Sequence, residues 1–370
     1  MLKQVFVLLS ASAGMRGGAS KGTFSTNRFF TPFPHGQSKS VQKDKFQYRT
    51  KAAKIVISIY FFISLINLSA QEIHPGIKIK TAGAITDFFI ENSNVVLSTD
   101  AGTIETYNVK TGKQLDFVQI PPMKDFMGDE VPTKIYSIDR SLDKLLVVTQ
   151  GNHGFRNVSI FENGKQEEIF NAERDKMMIK KARWISDNNI LLGLMSNDLI
   201  LYDFGHKKVV CELSISPYTF SDFSLSTDRK HVFTADESGI VHKIEVNNCE
   251  INQEFTGINV DNIYQIVFKN GIVITAGQDR RVGVYNTITG NNYYLQKDFL
   301  VYSVGLNADG SIGACSATED NNISIFKTES RDEKCVLSGH ESVVTKMVFF
   351  DEHTFLSVGD DQYLMIWEIE

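Results

Sequence analysis

The side chains that most often carry chemistry are present in this chain but not in working arrangements. The eight histidines, His35, His74, His153, His206, His231, His242, His340 and His353, include no HExxH and no i, i+4 pair, so a helical zinc site is excluded. The four cysteines, Cys211, Cys249, Cys315 and Cys335, form no CxxC and lack the Cys/His spacing that tetrahedral zinc needs. No P-loop, no G-x-S-x-G in a strand–turn–helix setting and no D-x-D-x-D-G calcium loop occurs. The sequence assigns no catalytic, metal-binding or cofactor-binding residue, and no cofactor is expected.

The elements that would position any site repeat along the chain. From residue 95 an apolar strand, a turn of small and acidic residues and an alternating strand ending in a large side chain recur, as in "VVLSTDAGTIETYNV", "ILLGLMSNDLILYDF" and "IVITAGQDRRVGVYNT". The strand-end residues are Tyr107, Phe161, Tyr202, Ile244, Tyr285, Phe326 and Trp367, separated by 54, 41, 42, 41, 41 and 41 positions. A period of ~40–45 residues is that of a four-stranded propeller blade. The spacing predicts an all-β fold, a seven-bladed propeller over 71–370. "GIKIK" (76–80) alternates as a strand should and is expected to add to the last blade, whose third strand, "DQYLMIWEIE", otherwise ends with an unpaired edge.

The last unit has "SGH" at 338–340 followed by Ser357, Asp361 and Trp367. This resembles the Gly-His…Trp-Asp pattern of WD40 repeats, with Glu368 where Asp is usual. The resemblance covers about 74–370 as a fold and 338–368 as a motif. It implies a structural tetrad in which His340 bridges Asp361 and Ser357, and Ser357 meets the Trp367 indole. Thr275 with Asp279, and Ser316 with Asp320, sit at the same offsets in units that lack the histidine. The cysteines, assigned to strands of separate blades or two strands apart in one sheet, are expected to be free thiols.

Charge divides the chain. Residues 1–70 hold ten Lys/Arg and one acid, +9, leaving −15 for residues 71–370 against −6 overall. An acidic body argues against nucleic acid as partner, since phosphate neutralisation supplies most of that affinity. Lys51 and Lys54 precede an apolar run from Ile55 to about Leu68, then Leu68-Ser69-Ala70, the three-part form of a secretory signal. The expected organisation is a disordered or misassigned leader over 1–52, a signal over 53–70 cleaved near Ala70/Gln71, and a periplasmic propeller over 71–370 with no stable membrane insertion.

Thirteen extra residues in the second unit fall in "IPPMKDFMGDEVPTK" (120–134), beside the enlarged turn 149–157 and the long connection 171–184. In a propeller these connections emerge on one face. Met123, Phe126, Met127, His153, Phe155, Arg156, Met177 and Met178 are therefore a candidate protein-binding rim, because Met adapts its shape and aromatics supply contact area. The alternative is that Phe126 and the methionines fold back over the blade edge.

A single exported propeller with degenerate repeats and one good Trp-type unit at the C-terminus resembles the WD40 accessory proteins of periplasmic nitrate reductases (the NapL type). That resemblance implies a monomeric, non-catalytic accessory factor docking on a redox enzyme or its maturation factors. Two other binding roles stand beside it: an envelope assembly scaffold, and a cytoplasmic WD40 adaptor. A propeller hydrolase would need Asp87, Asp139 and Asp222 at inner strand ends to point into the channel.

Overall fold

The computed structural model describes residues 71–316 and 318–369; the expectations placed on residues 1–52 and 53–70 lie outside them. Seven sheets, each built on four antiparallel strands, follow one another around a ring. Blade 1 is Ile85–Glu91, Asn94–Thr99, Thr103–Asn108 and Gln114–Gln119, running from the axis outward. The inner strands of blades 2 to 7 are Ile135–Ser141, Ile179–Trp184, Phe220–Leu225, Ile263–Lys269, Val304–Leu306 and Val344–Phe349.

The second strand of each blade explains the unbroken apolar runs in the sequence. Both faces of that strand are covered, so alternate residues enter different cores. Val95 and Leu97 pack with Leu356, Val358 and Leu364 of blade 7, while Val96 packs with Ile135, Ile138 and Val147 of blade 2. The core is thus distributed over blade–blade interfaces, each of which has its own apolar cluster. At ~25 cal/mol per Å² of apolar surface removed from water, a ring gains this energy at every interface only if it closes.

Closure is by the N-terminal segment. Ile77–Lys80 pairs antiparallel with Tyr363–Glu368, in the register Ile77 to Ile366 and Ile79 to Leu364. The strand starting "DQYLMIWEIE" therefore has its neighbour. Gln71–Ile73 then runs parallel to Glu333–Leu337, so blade 6 gains a fifth strand. The sequence did not foresee this second attachment: three residues are too few to carry an alternating signal.

The cysteines require a correction. Cys211 and Cys249 are joined in a disulfide, with Cα atoms 5.9 Å apart and a sequence separation of 38. Free thiols were expected because strands two apart in one sheet are too distant. The bridge instead crosses between adjacent blades. Cys211 lies on the outer strand of blade 3, Lys208–Ser214. Cys249 is not on a strand: it occupies the turn before Glu250–Phe255 at φ 55°, which carries it off its own sheet toward blade 3. Cys315 and Cys335 are free and buried.

Candidate functional site: the channel mouth and its rim

Inner strands converge on a channel of about 370 Å³ lined by side chains from all seven blades, among them Asp87, Lys134, Tyr136, Lys181, Arg183, Asp222, Tyr264 and Lys346. In four-stranded antiparallel blades, inner strands begin at the end where outer-to-inner connections and second-to-third turns emerge. The channel therefore opens on the face that carries 120–134, 149–157 and 171–184.

Asp87 is the hub of the channel. Its carboxylate accepts from Arg183 at 3.0 Å and from Lys346 at 2.5 Å, and also from the backbone N–H of Phe88 and of Ile138 in blade 2. Burial by itself would raise this acid's pKa, but Arg183 and Lys346 outweigh it and hold the carboxyl well below its ordinary value. Across the channel Lys181 bonds Asp222 at 2.7 Å, and Asp222 accepts from Ile266 N–H of blade 5. Asp139 accepts from Trp184 N–H of blade 3, and Gln265 accepts from Val304 N–H of blade 6. The three aspartates that a hydrolase would use are thus occupied in tying each inner strand to a neighbour. Among the described residues no group of three His, Cys, Asp or Glu is arranged to hold a metal ion.

The tetrad residues meet in blade 7, in an arrangement different from the one the resemblance implied. Trp367 Nε1–H donates to Ser357 Oγ at 2.7 Å, and Ser357 Oγ lies 2.7 Å from His340 Nε2. The Ser357 hydroxyl thus joins the imidazole to the indole in one buried hydrogen-bonded chain. Burial pulls the His340 pKa down to about 4. Asp361 does not bridge to His340: its carboxylate takes Ser342 Oγ at 2.8 Å and Tyr363 N–H at 2.9 Å, and His340 Nδ1 is buried without a partner. Two nearer donors satisfy the acid, so nothing draws it to the ring.

Units without the histidine solve the same problem with other residues. In blade 5, Asn259 accepts from Thr275 at 2.6 Å and from the Tyr285 hydroxyl at 3.3 Å, and donates to Asp279 at 3.1 Å. In blade 1 the buried Glu105 accepts from Thr103, Tyr107 and the Ala82 N–H. Sequence reasoning missed both hubs. Asn259 precedes Thr275 by 16 positions, as His340 precedes Ser357 by 17, so a polar residue at that offset was the available signal. Glu105 lies inside a strand and had none.

On the rim, the extra residues of blade 2 form a small hairpin, Met123–Lys124 paired with Glu130–Val131. Asp125 closes its tip, accepting from Met127 N–H at 2.8 Å and Asp129 N–H at 2.9 Å, an Asx turn that preorganises the loop. This tip presents Phe126 at 95% exposure and Met127 at 73%. Neither folds back over the blade edge. Met177 does, packing on the blade 2–3 core, while Met178 remains exposed. Phe155 and Arg156 are half-buried and Met123 lies beside the groove floor.

The three loops brace one another. Asn171 caps the short helix Ala172–Asp175, accepting from Glu173 and Arg174 N–H. Asn152 donates to Glu173 at 2.7 Å, and Arg156 N–H donates to Met177 C=O at 2.9 Å. His153 holds φ 57° in the exposed turn Asn152–Gly154. A groove of about 250 Å³ between Met123, Gly151, Asn152 and Ala172 runs beneath the hairpin.

Comparison with known proteins agrees with this architecture. Residues 332–368 match the family model "WD domain, G-beta repeat". The chain is a seven-bladed β-propeller closing on a WD40 repeat. A solved structure titled "Crystal structure of Myceliophteria_thermophila Cps50 (Swd1) beta-propeller domain" superposes with a TM-score of 0.65 over 80% of this chain and 99% of the other, at 14% identity. Among curated proteins, "Transducin beta-like protein 3" of Bos taurus is 25% identical over 153 residues. The match spans 40% of this chain and 19% of that relative's length. WD40 propellers characteristically serve as protein-interaction scaffolds.

Proposed function

We propose that this propeller is an exported, non-catalytic accessory protein that docks on a protein partner through the face carrying the channel mouth. The observation that carries the reading is the hairpin tip. A phenylalanine fully presented to solvent on a turn held by the Asp125 hydrogen bonds has no role in the propeller's own core. It supplies a low-entropy apolar anchor for a partner's pocket. The methionines beside it add adaptable contact area.

Export is supported by the basic segment, apolar run and small residues at 51–70, and by the Cys211–Cys249 bridge, because disulfides persist in oxidising compartments. The finer reading follows the family resemblance: the partner is a periplasmic nitrate reductase or one of its maturation factors, engaged by a propeller monomer. An assembly scaffold of the envelope shares the docking face and differs only in its partner. A cytoplasmic adaptor has the Bos taurus relative in its favour, and it predicts reduced Cys211 and Cys249 together with an intact N-terminus.

The test is co-purification from the native host with wild type, Phe126→Ala/Met127→Ala, and Phe155→Ala/Met177→Ala. The reading requires loss of a discrete partner with the first pair at unchanged melting temperature. Undiminished capture by both variants removes the docking face. Nitrate reduction unaltered in a strain lacking the protein removes the finer assignment.

A further inference from the structure

We propose that the basic sector of the channel mouth, formed by Lys134, Arg156 and Lys180, receives a carboxylate from an acidic peptide segment of the partner. The proposal rests on the docking face described above and assigns the chemistry of what enters it.

Asp87 is saturated by Arg183, Lys346 and two backbone N–H groups, and Asp222 is held by Lys181 and Ile266 N–H. Both acids are already paired with a cation of the channel wall. The cations of blades 2 and 3 are the reverse case. Lys134, Arg156 and Lys180 make no ion pair with any carboxylate among the described residues. Yet residues 71–370 carry an excess of fifteen acids from which a partner could have been drawn.

Two of these groups share one aromatic ring, and the third lines the same channel. Arg156 stacks on the Tyr136 ring at 3.9 Å and Lys134 approaches the same ring at 5.5 Å. Lys134, Tyr136 and Lys180 line the channel itself. Arg156 bonds only the backbone carbonyls of Gly154 and Phe155, and its Nε is buried with no partner. Lys180 Nζ has one backbone contact, Phe220 C=O at 3.3 Å. Desolvation lowers the pKa of Arg156 and of Lys180, for Lys180 against an opposing pull from Asp222 and Glu237. A half-buried guanidinium without a carboxylate partner gains a charge-assisted hydrogen bond when a carboxylate reaches its outer face. Asp360 stands at the mouth on the blade 7 side, so the basic sector faces one direction. A space of about 370 Å³ takes one or two side chains, not a domain.

Fluorescence anisotropy on the full chain tests this with a fluorescein-labelled peptide bearing four consecutive glutamates and its four-glutamine counterpart. The proposal expects the glutamate peptide to bind at least tenfold more tightly than the glutamine peptide. Lys134→Gln/Lys180→Gln should lose at least tenfold, Arg156→Gln a comparable amount, and Lys110→Gln/Lys113→Gln, on an exposed turn of the opposite face, nothing. Equal binding of the two peptides, or equal loss in the opposite-face control, overturns it. So does displacement by inorganic phosphate at concentrations below those of free glutamate peptide, which would assign the site to a small anion. Thermal melts identify any variant that fails to fold, and the lysine pair, being surface-reaching, carries the test if Arg156→Gln does so. The Phe126→Ala/Met127→Ala variant should retain peptide affinity. If partner capture depends on Phe126 while no peptide binds, the docking face stands and the carboxylate site falls.

Discussion

At residue scale, blade 7 is locked by a neutral histidine. Because the folded pKa of His340 is about 4 and an unfolded histidine titrates near 6.5, the unfolded chain binds the extra proton between those values. Stability therefore rises with pH across this window, and is lost as pH falls from about 6.5 toward 4, by roughly 3 kcal/mol at most for this group. Urea unfolding at pH 7 and pH 4.5 should show a smaller stability loss in His340→Gln than in wild type. Equal loss would mean other groups account for it. Asp87 is the opposite case: Asp87→Ala leaves Arg183 and Lys346 facing each other across the channel without their counter-ion. Removing one partner of a buried pair costs about 3–5 kcal/mol, measurable as a drop in the denaturation midpoint.

How far these roles could be read from sequence follows from whether a residue type announces its partner. His340, Ser357 and Trp367 stood in a spaced pattern, so their hydrogen-bonded chain was legible. Asp361 was assigned the wrong partner because Ser342, two residues beyond the histidine, carries no signal of its own. The channel pairs Asp87–Arg183 and Asp87–Lys346 join residues 96 and 259 positions apart. Nothing local marks such contacts; only the ring geometry creates them.

At the scale of elements, the clasp and the disulfide are the two joints of the ring. Ile79 is buried in the blade 7–1 core, and replacing a buried isoleucine by alanine costs about 2–5 kcal/mol. A chain beginning at residue 81 should lose more than this, since it also exposes the edge of Tyr363–Glu368, whereas one beginning at 71 should melt as the full chain does. Coincident melting of 81–370 and 71–370 would contradict closure. The alternation of "GIKIK" made this strand legible, while the parallel Gln71–Ile73 was too short to see. The bridge between blades 3 and 4 closes a 38-residue separation, for which chain entropy gives roughly 2–4 kcal/mol. Cys211→Ser/Cys249→Ser, or dithiothreitol treatment, should lower the melting temperature; an unchanged melt and two further thiols titrating in the native protein would show that no bridge forms. Sequence could not place this bond because Cys249 sits on a turn, where strand spacing says nothing about reach.

At the scale of the whole molecule, seven interfaces make the frame, and the longest insertion falls in one sector of one face. The period of 41 gave the blade number, and the single interval of 54 located the hairpin, so the site's position was legible even though its form was not. Whether Phe126 pointed out or in depended on the Asx turn at Asp125, a three-dimensional closure that composition does not encode. On the proposed reading this sector meets a protein partner. A photo-crosslinking phenylalanine analogue introduced at position 126, and separately at the exposed Ile288 of a turn on the opposite face, tests it in the native host. One discrete crosslinked species is expected from position 126, abolished by Met127→Asp, and none from position 288. No product from 126, or the same products from both faces, would contradict it.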